Sequence, residues 1–197
     1  VGSFHDSSAV RQYLSMVRAG RRSANLHAMQ AISDSLLLRY DRSSERVNKL
    51  GFGSWKHQVV HGDWHPGNLL YCDRKIVGVV DFDSIRIAPP VTDLANGMLQ
   101  FSIIGDDPDP SNWPDHFDQP RLMEFFNTYR EQAQVNKHQI NGLVDLRIET
   151  MIAEAVLPVA ATGFFGHLCG LDFLKMILRK TKWLRTHRTE LVEAMLA

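Results

Sequence analysis

The sequence predicts a mainly helical α+β fold, with helices surrounding a small β insert near residue 70. Three observations lead there. Apolar residues recur at three- and four-residue spacing through most of the 197-residue chain. Between residues 58 and 80 that spacing gives way to strand-like alternation and to short valine-rich runs. Glycine, proline and aspartate punctuate those runs closely, as tight turns require. With 44% hydrophobic residues the chain is long enough to bury one core, so residues 1–197 read as a single domain.

A first helix is expected to open at Asp6-Ser7-Ser8 and to carry Val10, Tyr13, Leu14 and Val17 on one face up to Gly20. Arg18, Arg21 and Arg22 gather at its end, where cations oppose the negative pole of the helix dipole. A second helix is expected over residues 25–40, with Met29, Ile32, Leu36 and Leu37 facing inward, and mostly polar loop or frayed helix over 41–54. Val59 and Val60 begin the β insert. Residues 69–72 and 76–80 then read as two strands closed by a turn at Asp73-Arg74-Lys75. Pro89-Pro90 stops the last strand, and Thr92 or Asp93 is placed to cap a helix carrying Leu94, Met98 and Leu99. Residues 105–120, with Asp106, Asp107, Asp109, Asp115 and Asp118, read as a solvated loop and a candidate contact for a cationic substrate.

From residue 120 onward the pattern is helical. Leu122, Phe125, Phe126 and Tyr129 form one apolar face. A longer one runs from Ile140 through Leu143, Ile148 and Ile152 to an end near Pro158. Residues 164–178 and 183–196 supply two further helices, whose basic residues between 175 and 188 read as a solvated face. Substrate contacts are expected from the helices after Pro120, where Glu149 and Glu154 are acidic positions that surface solvation explains equally well.

Composition excludes several functions. Basic and acidic residues balance at 22 each, which speaks against a nucleic-acid footprint and against charge-driven membrane binding. Cys72 and Cys169 are the only cysteines, too far apart in sequence for a zinc motif, and suit a reducing cytoplasm. The most apolar stretch, residues 151–165, contains Glu154 and Pro158 and is too short to span a bilayer. No secretory signal opens the sequence, so a cytoplasmic protein with neither nucleic-acid nor membrane partner is expected.

The chemistry concentrates between residues 61 and 93. Asp63 and Asn68 fall on the loop after the first strand, and Asp81 arrives as the hairpin ends. Magnesium prefers oxygen ligands and is held by one or two carboxylates together with substrate phosphates, a role open to Asn68 and Asp81. An aspartate, four intervening residues and an asparagine is the spacing of a kinase catalytic loop, with a later Asp-Phe pair supplying a metal-binding carboxylate. Taken singly, Asp63 also fits a turn and Asn68 a cap. The alternation of His61, Asp63 and His65 suits a metal-dependent phosphoesterase too, but that chemistry needs further clusters, and His116, His138 and His167 stand alone.

The run His-Gly-Asp-Trp-His-Pro-Gly-Asn-Leu-Leu, followed by Val-Val-Asp-Phe-Asp and Thr-Asp-Leu-Ala, resembles the aminoglycoside phosphotransferase and choline kinase family. The resemblance implies the C-terminal lobe of a protein-kinase-like fold, in which a small β-hairpin carries the catalytic and metal-binding loops. It implies a transferase that moves the γ-phosphate of ATP, with Mg²⁺, to a hydroxyl of a small molecule such as an aminoglycoside, choline or a related amino alcohol or sugar. It makes Asp63 the catalytic base and Asn68 and Asp81 the magnesium ligands. Leu70 and Val80 become the apolar floor under the adenine, and His61, His65 and Asp93 support the loop.

One feature of the family is missing. Residues 1–60 read as helix, and they contain neither a Val-Ala-Ile-Lys-like strand nor a phosphate-covering loop. Gly51-Phe52-Gly53 is too short for that loop and reads as a turn. The expectation is therefore a lobe that lacks the N-terminal β-rich lobe and needs one, from the same gene product or a partner, for full activity. The alternative is a non-catalytic binding or regulatory module that retains a kinase-like lobe.

Overall fold

A computed structural model describes residues 7–18, 26–105 and 107–197. The expectations placed on Asp6, Gly20, Asn25, Asp106 and the side chains of Arg18, Arg21 and Arg22 fall outside what is described. The fold is mainly helical, with three small antiparallel strand pairs. The helices are α1 (Ser7–Arg18), α2 (Leu26–Lys49), α3 (Val91–Ser102), α4 (Gln119–Gln132), α5 (Lys137–Thr162), α6 (Gly170–Thr186) and α7 (Arg188–Leu196). The strands are β1 (Gln58–Val60), β2 (Leu69–Cys72), β3 (Lys75–Val79), β4 (Arg86–Ala88), β5 (Phe164–Phe165) and β6 (Leu168–Cys169). Among the described residues, α1, α2 and a short 3₁₀ turn (Phe52–Ser54) precede β1. No described helix is long and apolar enough to cross a membrane.

The core is built around α5, which packs against α1, α2, α3, α6 and α7. Every residue from Gly142 to Ile152 is buried, so this helix meets neighbours on all sides rather than on one stripe. Asn136 and Gln139 close its N-terminus in a reciprocal capping box, and Gly163 in the left-handed region ends it. Pro158 does not stop it. A proline removes one backbone donor, and near a helix end the loss is small enough for the last turn to continue to Thr162. Asp145, buried within α5, is paired with Arg188 at 3.1 Å and lies 3.8 Å from Arg46, tying α7 and α2 to the central helix.

Three further expectations are corrected. Residues 41–49 continue α2 as regular helix rather than loop or a frayed end, because Ser43 and Ser44 turn inward beside Tyr40 and Val47 while Glu45 and Lys49 pair outside at 2.7 Å. Small hydroxyl residues on the inner face hide the helical period from a hydrophobicity pattern. Residues 164–169 form the β5–β6 hairpin, turning at Gly166 with φ 57°, so α6 starts only at Gly170 and runs to Thr186. The aspartate-rich segment after α3 is pinned. Arg179 donates to the carbonyls of Pro110, Ser111 and Trp113, and fully buried Lys180 to those of Pro114 and His116.

Candidate active site

The β insert is two hairpin-like pairs that share one loop. β1 runs antiparallel to β4, with Val60 opposite Arg86, and β2 runs antiparallel to β3. The β2–β3 turn places Asp73 and Arg74 at φ 48° and 63°, the left-handed pair that matches the twist of a tight hairpin. Val80 N donates to Asn68 O at 3.0 Å, which prolongs the pairing beyond the strands and sets Asp81 beside the start of β2. Asp81 itself has φ 63°, a conformation that aspartate tolerates better than most side chains. Its side chain is exposed.

Asp63 sits on a turn held from behind. Asp93, in the first turn of α3, accepts from His61 N at 2.7 Å and from Gly62 N at 2.9 Å, one backbone donor to each carboxylate oxygen. Gly62 has φ 82°, and a Cβ there would collide with the carbonyl of Ser84, so the turn is closed to other residues. Buried His61 bonds through Nε2 to Val80 O at 3.0 Å, while its Nδ1 accepts from Asp63 N at 3.3 Å. Those two contacts together assign the neutral Nε2–H tautomer. His65 Nδ1 accepts from Gly67 N at 3.0 Å, and its Nε2 lies 3.5 Å from Asp63 Oδ2.

The structure brings Asp63, Asn68, His61, His65 and Asp93 into this one turn. Asn68 Nδ2 donates to Asp63 O at 3.0 Å and to Asp63 Oδ2 at 3.1 Å. With both amide protons committed to Asp63, the Asn68 carbonyl oxygen is the atom left for a ligand. An amide oxygen with a carboxylate from Asp81 is the hard, oxygen-only donor set that magnesium takes, so these residues fit that metal. Among the described residues no three His, Cys, Asp or Glu side chains gather to hold a metal. Leu70, half exposed, and Val80, partly exposed, flank the same loop on the hairpin side.

Two groups escaped the sequence. Arg86, opposite Val60, donates from Nη2 to Gly62 O at 3.3 Å and lies in the fields of Asp93, Glu154 and Asp63. Glu154 is not merely solvated surface; α3 holds it through Asn96 and Gln100. Neither belongs to a local spacing, since each meets its partners only through the fold. Beside the loop, a cleft of about 700 Å³ is lined by Trp64, Asp93, Phe101, Phe125 and Tyr129 among others. Gly97 lets Trp64 and Phe125 close against α3, where a Cβ would collide with the Phe125 ring.

A helical body presenting a turn that carries Asp63 and Asn68, with Asp81 beside it, is the architecture of a kinase-like phosphotransferase lobe. Residues 9–134, more than half of the chain, match the model of the phosphotransferase enzyme family, and the chain belongs to that family. Its fold is similar to that of choline kinase from Cryptosporidium parvum Iowa II, with a TM-score of 0.51 at 15% identity. That similarity covers 97% of this chain and 57% of the choline kinase chain. No curated protein sequence matches this chain.

Proposed function

We propose that this chain is the catalytic-loop lobe of a Mg²⁺- and ATP-dependent phosphotransferase acting on a hydroxyl of a small molecule. The observation that carries the reading is the Asn68 amide, which fixes Asp63 through its two protons and leaves its oxygen for a ligand. Asp63 orients the acceptor hydroxyl and takes its proton. Asn68 and Asp81 hold magnesium, which supplies charge neutralisation at the transferring phosphate. Leu70 and Val80 carry the adenine, while His61, His65 and Asp93 keep the turn in shape. ATP as donor and the two exposed thiols, Cys72 and Cys169, suit the cytoplasm.

A β-rich lobe, on the same polypeptide or a partner, completes the nucleotide site. The exposure of Leu70, Val77 and Phe82 at 50%, 64% and 53% supports this, because apolar side chains there lack a cover. The lobe by itself is nearly inactive, since Asp63 and two metal ligands do not enclose a nucleotide. Calorimetry with Mg·ATP on the completed enzyme tests the site directly. Binding is expected to need Mg²⁺ and to be lost in Asp81→Asn, a change that keeps the left-handed backbone accessible. Binding indifferent to both removes the metal assignment. In the completed enzyme, Asp63→Ala is expected to lower turnover by roughly 10²- to 10⁴-fold, the usual worth of a general base. Full activity in that variant excludes Asp63 as the base.

A further inference from the structure

The basic residues near the end of the sequence are not spread evenly over a solvated face. Arg185, in the last turn of α6, and Arg188, at the start of α7, meet Arg46 and Lys49 from the last turn of α2 around one pocket. Leu50 and Thr189 complete its lining, and it holds about 520 Å³. It shares no residue with the cleft beside Asp63. Asp145 under this pocket and Glu154 beside α3 lie nine residues apart on α5, about 13 Å along the helix axis.

A cation in the last turn of a helix answers the helix dipole, which is reason enough for one charge at the end of α2 or α6. The dipole does not explain the fixed geometry of Arg188. Its Nε donates to Asp145 Oδ2 at 3.1 Å, and its Nη2 to Asn141 O at 2.7 Å. Asp145 is only 2% exposed, so the guanidinium is anchored from below rather than swinging in solvent. Among the described residues, neither Arg188 Nη1 nor the Arg185 guanidinium has an acceptor. Four cations line the pocket and no acidic side chain does. Asp145 beneath it, and Glu45 paired with Lys49 at 2.7 Å, offset two of the four. Charge for one dianion is left without a counter-charge. The excess reaches beyond the lining: after burial, the like charge of Arg185 is the second cause that lowers the Arg39 guanidinium from its ordinary pKa.

We propose that this pocket binds a small phosphomonoester at a site separate from the catalytic turn, with the phosphoryl group on Arg188, Arg185 and Lys49 and the organic part along Leu50. A phosphomonoester carries a charge of about −1.5 to −2 near neutral pH and offers three strong acceptor oxygens. Guanidinium forks match that geometry, and a fork already held in place loses little freedom on binding. A free phosphate, a few water volumes of about 30 Å³ each, fills a small part of the space and leaves Leu50 uncovered. The inference stands on this pocket alone and does not depend on the role of Asp63.

Amide NMR of the nitrogen-15-labelled 197-residue chain, without metal or nucleotide, tests it. Glucose 6-phosphate is the probe, inorganic phosphate and glucose are the comparison titrants, and chloride holds the ionic strength constant. Saturable shifts are expected at the Lys49, Arg188 and Thr189 amides with glucose 6-phosphate, weaker ones with inorganic phosphate, and none with glucose. Arg185→Gln removes an exposed side chain with no acceptor, so the fold is preserved. It should weaken the probe by about tenfold or more, the worth of one charge-assisted hydrogen bond. The probe should also raise the Tm of the parent chain, and by less in Arg185→Gln. Shifts that never saturate, that chloride reproduces, or that centre on residues 61–81 overturn the proposal, as does equal affinity in Arg185→Gln. Inorganic phosphate binding as tightly as the probe overturns the assignment to an ester.

Discussion

Asp93 shows how one carboxylate can decide the shape of a catalytic turn. Its two oxygens accept from successive backbone donors, His61 N and Gly62 N, and no neutral side chain of the same size can do both. In Asp93→Asn, one oxygen is replaced by an NH₂ group facing a backbone N–H. The loss of one charge-assisted bond and the unsatisfied donor are expected to cost about 1–3 kcal/mol. A fall in Tm, with faster hydrogen exchange at the Gly62 or His61 amide, checks this; unchanged exchange at both removes Asp93 as the clamp. The sequence offered Asp93 as a cap or a brace, and the geometry is the brace. What no reading of neighbours reveals is Arg86, whose acceptor is a backbone carbonyl 24 positions earlier. A side chain paired to a backbone atom leaves no residue type to look for.

At the scale of elements, legibility followed the distance over which each was determined. The β2–β3 hairpin was readable because its turn residues lie between its strands, and the loop because Asp63 and Asn68 act on each other five positions apart. The extension of α2 was not, since Ser43 and Ser44 are polar in composition yet buried by α2's surroundings. The least legible connection is the tie between α6 and the segment after α3. Arg179 and Lys180 look like solvated cations in sequence, but their acceptors are carbonyls 64 to 69 positions away. Lys180→Met keeps the apolar stem and removes the ammonium donor to Pro114 O at 2.7 Å and His116 O at 3.3 Å. Leaving those carbonyls without a donor is expected to cost about 2–3 kcal/mol. Urea unfolding measures the loss, and limited proteolysis should cut first between Pro110 and Phe117. A variant as stable and as resistant as the parent would show that water replaces the ammonium at no cost.

For the molecule as a whole, the core and the β insert are finished to different degrees. Around α5 nearly every apolar side chain is covered, whereas Val59 and Ile87, a cross-strand pair, are 59% and 66% exposed. Tyr71, Ile76, Val77, Phe82 and Ile85 on the neighbouring turns and strands are also at least half exposed. Two-stranded pairs have open edges as well, so backbone donors and apolar surface lie together in one region. Monomeric proteins rarely leave such a surface bare, and it lies on the hairpin that the proposed nucleotide lobe would cover. Without that cover, the 197-residue chain is expected to bind a hydrophobic dye and to associate as its concentration rises. Replacing Val77 and Ile87 with lysine should suppress both effects. Stability should shift by no more than about 0.5 kcal/mol per site, because exposed side chains carry little of the core. Sedimentation and dye fluorescence across a concentration series measure the first pair of effects, and thermal unfolding the second. A chain that stays monomeric and binds no dye would mean that the β insert is stable bare, and the argument for a covering lobe would lose its structural support. Association that persists in the doubly substituted chain would place the sticky surface elsewhere on the helical body.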